Sequence, residues 1–133
     1  KTNNKISNLD IDTEDVSVNI IETTSGALGT LHLDYMQYEL SRKCKIIGEK
    51  GVLIWDYSKG NVMFMSHKDK TWQTHDFSNY KREDRFLDIM NSFMNSIKSN
   101  HDERLVNFHD AKRSLELVEA AKKSNIDNKL VSL

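Results

Sequence analysis

Three features of this 133-residue sequence predict an α+β fold: short segments in which apolar and polar residues alternate, brief polar connections between them, and a change to helical spacing after Phe77. Together they imply an open-faced, mostly antiparallel sheet of about six strands, with two C-terminal helices packed on one face. The length suits a single domain spanning residues 1–133 and is short for a complete two-domain enzyme.

The first dozen or so residues are polar and read as ragged. "VSVNII" and "GALGTLHLDYMQY" then alternate with a period of two, and "TTSGA" between them reads as a turn. The next two strands flank "GEKG". A loop that grips phosphate passes directly into a helix, whose free amides hold the anion, but here "VLIWD" follows, short, β-branched and aromatic. "GEKG" is therefore read as a hairpin turn, with Gly48 and Gly51 supplying positive φ or close backbone approach and Glu49 and Lys50 solvated at the tip. "NVMFM" and "TWQTHDF" make a further hairpin after the Gly60–Asn61 break.

From Tyr80 the period changes. Phe86, Met90, Phe93 and Ile97 recur at three and four, with Leu87 and Met94 widening the stripe, which predicts a helix of about five turns. Burying its side chains at ~1.5–3 kcal/mol each would contribute roughly 10 kcal/mol, enough to predict that it docks on the sheet. A second helix opens at Asn107, a capping residue with Asp110 three positions on, and carries the stripe Ala111, Leu115, Val118 and Ala121. Ser124 to Asn128 ends it, and "KLVSL" reads as a terminal strand.

Composition excludes several classes of function. With 38% hydrophobic and 29% charged residues and no apolar run near the ~18 residues of a membrane span, the sequence predicts no membrane partner. Nineteen basic residues against twenty acidic ones, without a basic patch, give no reason to expect nucleic acid. Cys44 is the one cysteine, read as a small buried residue, and a cytoplasmic location fits that usage. The five glycines form neither a dinucleotide fingerprint nor a Walker loop.

Candidate chemistry is sparse. No two histidines stand at the helical spacing of a zinc pair, and no metal site is expected, although His67 and His75 share a hairpin. His32 and Asp34 lie two apart on one side of a strand, either an acid/base pair or an ordinary surface contact. Asp34, Tyr35, Tyr38 and Arg42 form a second group, in which the guanidinium could hold a carboxylate or phosphate of a ligand or simply pair with Glu39. Met63 and Met65 read as core filler. Catalytic and cofactor-binding residues are not expected in this chain, and those that would bind substrate stay unassigned.

"EDVSVNII", "GALGTLHLDY", "RKCKIIGEKGVLIWD", the aromatic helix, and "AAKKSN" before "LVSL" occur in an order that resembles the C-terminal domain of one dehydrogenase family. That family comprises glucose-fructose oxidoreductase, inositol dehydrogenase and MocA, and the resemblance runs from about Ser7 to Leu133. It implies a two-domain NAD(P)-dependent enzyme: a Rossmann domain first, then a sheet domain that helps form the substrate pocket and carries the subunit interface. It also implies sugar, cyclitol or nucleotide-sugar substrates and hydride transfer. The family's catalytic lysine sits in a Glu-Lys-Pro motif, and this sequence has no proline. The family's substrate-positioning Asp and His precede the region covered here.

Two functions follow as expectations. One is the substrate-side and oligomerisation domain of such a dehydrogenase, inactive alone, with NAD or NADP bound by a Rossmann domain that this chain lacks. The other is a free-standing α+β binding or assembly module without hydride chemistry. Either way the isolated chain is expected to bind neither NAD nor NADP, because no glycine turn brings backbone amides to a pyrophosphate. Titration calorimetry checks this, and a stoichiometric micromolar site would contradict it.

Overall fold

A computed structural model describes residues 3–99 and 105–133. Residues 1–2, at the head of the polar leader, and His101 lie outside the described residues. The chain divides into two compact units, Lys1–Tyr38 with Val106–Leu133, and Glu39–Leu105.

The first unit holds a three-stranded antiparallel sheet in the order β1 (Asn3–Asn4), β2 (Val16–Glu22), β3 (Leu28–Asp34). β-branched residues favour β2, and the turn back into β3 closes where the Thr23 amide donates to the Ala27 carbonyl, with Gly26 at φ +83°. Ser17 opposes Leu33 and Val18 opposes His32, so Val16, Val18 and Ile20 share one face with Leu28, and Ile21 shares the other with Leu31 and Leu33. Both faces of this sheet are therefore mixed.

The leader is not ragged from Asn3 onward. It pairs with β2, and the buried Asp15 carboxylate accepts hydrogen bonds from the amides of Ile6, at 2.9 and 3.1 Å, and Ser7, at 2.7 Å. A carboxylate that gathers backbone donors clamps a segment whose own apolar content could not hold it.

The helix of this unit, α2 (Phe108–Asp127), starts as its sequence predicts: the Asn107 side chain accepts from the Asp110 amide at 3.0 Å. It ends on Asn128, in the left-handed conformation at φ 50°, whose amide donates to the Ser124 carbonyl. The terminal strand expected in "KLVSL" does not form. The Ser124 hydroxyl donates to the Lys129 carbonyl and the Lys129 amide to the Ser124 carbonyl, so the helix cap takes backbone groups that a ladder would need.

The second unit holds a four-stranded antiparallel meander, β4 (Lys43–Gly48), β5 (Gly51–Asp56), β6 (Asn61–Ser66) and β7 (Trp72–Asp76). Register places Ile46, Leu53 and Phe64 in one row and Ile47, Val52 and Met65 in the next, so apolar side chains occupy both faces. Lys43, Asp56, Asn61 and Asp76 form a polar row at one end. Cys44 is exposed rather than buried, because β4 is an edge strand of this sheet. α1 (Arg82–Ser99) follows, and the Asp84 carboxylate accepts from the Lys81 amide at 2.9 Å to close its first turn.

Two expectations are corrected. The α+β class holds, but the strands form two sheets rather than one of about six strands. β3 ends where the Asp34 carboxylate takes the Met36 and Gln37 amides, both at 3.0 Å, which diverts these donors from strand pairing. The stripe of α1 predicted to dock is not covered, although Arg85 reaches Tyr57 at the end of β5 and Ser92 is buried. Phe86, Met90, Phe93 and Ile97 of α1 are all more than half exposed. Helical periodicity specifies which face must be buried and does not name the surface that buries it.

The Asp15 clamp carries a pH dependence. The Ser7 side-chain hydrogen bond, opposed by burial and assisted by the Ile6 and Ser7 amides, holds the Asp15 carboxyl below its ordinary value. Its folded-state pKa is thus depressed, so its stabilisation is present above the unfolded value of about 3.9 and is lost as pH falls through the folded one. Asp15→Ala is expected to remove hydrogen-exchange protection from the Ile6 and Ser7 amides at neutral pH while the β5 and β6 amides keep theirs. Unchanged protection at Ile6 and Ser7 would contradict the clamp.

Candidate functional site

The "GEKG" segment is the two-residue hairpin that the sequence predicts, with Gly48 opposite Gly51 and Glu49 and Lys50 exposed at the tip. Its two glycines differ in kind. A Cβ on Gly51 would lie 2.2 Å from the Met65 carbonyl oxygen, whereas one on Gly48 would meet nothing within 4 Å. The close approach expected at both positions is thus real only at Gly51, where β6 crosses beside it.

His32 Nε2 lies 3.1 Å from Asp34 Oδ2, but this carboxylate also accepts from the Gln37 side chain at 2.7 Å. The Gln37 hydrogen bond, against some burial and with help from the Met36 and Gln37 amides and His32, holds Asp34 below the usual carboxylate range. Asp34 is a turn-former, fully engaged where β3 ends, and the arrangement is a surface contact rather than an acid/base pair. Asp34, Tyr35 and Tyr38 belong to the first unit and Arg42 to the second. Among the described residues Arg42 makes no ion pair with Glu39. Met63 and Met65 are half-buried on β6, and among the described residues no three His, Cys, Asp or Glu side chains converge as metal ligands.

Arg42 has a different setting, and sequence spacing gave no sign of it. Its guanidinium carbon lies 5.8 Å from the Trp55 ring centroid and 5.9 Å from that of Tyr57. The two rings meet edge to face at 6.1 Å. Residues 55 and 57 fall on the same side of the extended chain, and the Tyr57 amide donates to the Arg42 carbonyl, which carries the pairing of β4 and β5 one step beyond the strands.

Arg85, in the first turns of α1, reaches the same tyrosine. Its Nη2 donates to the Tyr57 hydroxyl at 2.6 Å, and its guanidinium carbon is 5.1 Å from the ring centroid. The carboxylates closest to it in sequence are occupied elsewhere: Asp84 by the Lys81 amide and Asp88 by the Tyr80 hydroxyl. The hydrogen bond to Asp88, followed by burial, raises the Tyr80 pKa. Asp56, between Trp55 and Tyr57, faces the other side of the sheet. Burial opposes its ionisation, yet the Lys59 amide and the Lys43 ammonium, 3.2 Å away, hold its carboxyl low. Arg42, Trp55, Tyr57 and Arg85 thus form a cluster with two guanidinium groups and no carboxylate.

The hairpin assignment predicts unequal glycine effects. Gly51→Ala is expected to destabilise by about 1–3 kcal/mol and Gly48→Ala by less than ~0.5 kcal/mol, while changing Glu49 and Lys50 together to serine costs under ~1 kcal/mol. Urea unfolding measures all three, and equal losses at the two glycines would contradict the register.

One family model matches the sequence. It describes the C-terminal alpha/beta domain of an oxidoreductase family, that of glucose-fructose oxidoreductase, inositol dehydrogenase and MocA, and it covers residues 1–133. No curated protein and no solved structure matches.

Proposed function

This chain belongs to the glucose-fructose oxidoreductase, inositol dehydrogenase and MocA family as its C-terminal α/β domain, and from that premise we propose that it is the substrate-side and oligomerisation part of an NAD(P)-dependent dehydrogenase. The family match over residues 1–133 is the observation that carries this reading. The substrates proposed are sugars, cyclitols or nucleotide sugars, small molecules oxidised or reduced at a carbinol carbon. The cofactor is NAD or NADP, held by a nucleotide-binding domain outside this sequence.

The division of labour has a chemical basis. Hydride transfer needs a nicotinamide held by its pyrophosphate and a group that moves the carbinol proton. The five glycines here are all accounted for without a dinucleotide fingerprint, since Gly26 lies in the β2–β3 turn, Gly29 on β3, Gly48 and Gly51 in a hairpin and Gly60 in a sheet turn. The chain alone is therefore proposed to be inactive. Determining the coding sequence immediately upstream tests the reading: a glycine fingerprint and a Glu-Lys-Pro motif there support it, and their absence overturns it.

Assembly follows from the faces of the strands. β4 to β6 carry apolar side chains on both sides, and a single helix stripe can cover only one. We assign the remaining face to a second copy of the chain, in a twofold sheet-to-sheet dimer. An interface of standard size would persist at micromolar concentration. Sedimentation equilibrium is expected to show mostly dimer at about 100 μM, and a monomer at that concentration would refute the assignment.

A further inference from the structure

The two guanidinium groups around Tyr57 are an electrostatic arrangement that the domain assignment leaves unused. Arg42 and Arg85 each lie within 6 Å of the Tyr57 ring centroid, and among the described residues neither has a carboxylate in ion-pair range. Two like charges on one phenol repel each other, and the repulsion is strengthened where half-buried rings displace water on one side. The acids that could have neutralised them, Asp56, Asp84 and Asp88, are each bound by another group.

Only part of the donor capacity is in use. Each guanidinium carries five N–H donors in a planar fork, and among the described residues the bond from Arg85 to the Tyr57 hydroxyl consumes one of those ten. That bond anchors Arg85 at the Tyr57 hydroxyl, and Arg42 lies within cation–π range of both Trp55 and Tyr57, so the same aromatic pair holds both guanidinium groups near one place. The Tyr57 hydroxyl, accepting from Arg85, still has its own proton to donate.

We propose that Arg42 and Arg85, held around Tyr57 and Trp55, form a binding site for a compact oxyanion, the phosphate or carboxylate group of a small molecule. An oxyanion cancels the repulsion and accepts from both forks and from the Tyr57 hydroxyl. Forked acceptance of this kind is the geometry at which arginine exceeds lysine. The cluster lies wholly within the Glu39–Leu105 unit. It is independent of hydride chemistry and would stand if the parent protein carried out a different reaction.

Trp55 provides the probe. In a Trp72→Phe variant Trp55 is the single tryptophan, and its emission can be followed during titration with sodium phosphate and, separately, sodium acetate, each against sodium chloride at equal ionic strength. A saturable change with a midpoint of the order of millimolar is expected for at least one of the two anions. Saturation by phosphate alone identifies a phosphate site and by acetate alone a carboxylate site. Arg42→Lys and Arg85→Lys keep the charge and lose the fork, and each is expected to weaken binding about tenfold. Calorimetric titration of the unsubstituted chain with the same salts reads the site without any substitution. No saturation by either anion overturns the proposal, as do lysine variants that bind as tightly as the parent.

Discussion

Strand register in the Glu39–Leu105 unit is the constraint on which the rest depends. Gly51 passes so close to the Met65 carbonyl that no side chain fits between them, and this pins β5 against β6. With a side-chain period of two, fixing one residue fixes every face. The two-residue hairpin with Gly48 opposite Gly51 sets β4 against β5 in turn, so that Asp56 meets Lys43 on one side while Trp55 lies near Arg42 on the other. A slip of one position would exchange these environments and dismantle both the polar row and the cationic cluster.

The same register leaves the molecule with unburied apolar surface. Among the described residues no apolar side chain is buried, and the buried ones are Asp15, Asp56 and Ser92. Local structure here is held by ladders, caps and carboxylates that gather backbone amides. The free energy available from the α1 stripe and from the sheet faces is still to be realised against a covering surface. The second copy and the nucleotide-binding domain of the proposed function would be such covering surfaces.

Local features were legible in the sequence because they follow short-range rules. Two residues between β-rich flanks gave the hairpin, spacing of three and four gave α1, and Asn107 three residues before Asp110 gave the start of α2. Long-range polar contacts were not legible. Asp15 reaches back eight and nine residues to the Ser7 and Ile6 amides, and Arg85 reaches Tyr57 across 28 positions. No periodicity marks such pairs. Arg42 was picked out by residue type, but its partners proved to be Trp55 and Tyr57 rather than Glu39. Cys44 was misplaced because edge or centre is a property of the whole sheet. The number of sheets was missed for a related reason, since the turn made by the Asp34 carboxylate breaks a series that alternation alone would continue.

The central claim is that this chain supplies surface and binding groups to a dehydrogenase whose hydride chemistry resides elsewhere. The most direct measurement is spectrophotometric turnover of the nicotinamide by the chain alone and by the product of its whole reading frame, across a panel of sugars and cyclitols. Turnover confined to the whole product is the expected result. Turnover by the 133-residue chain alone, or none by the whole product with any cofactor and sugar-type substrate tested, would contradict the account.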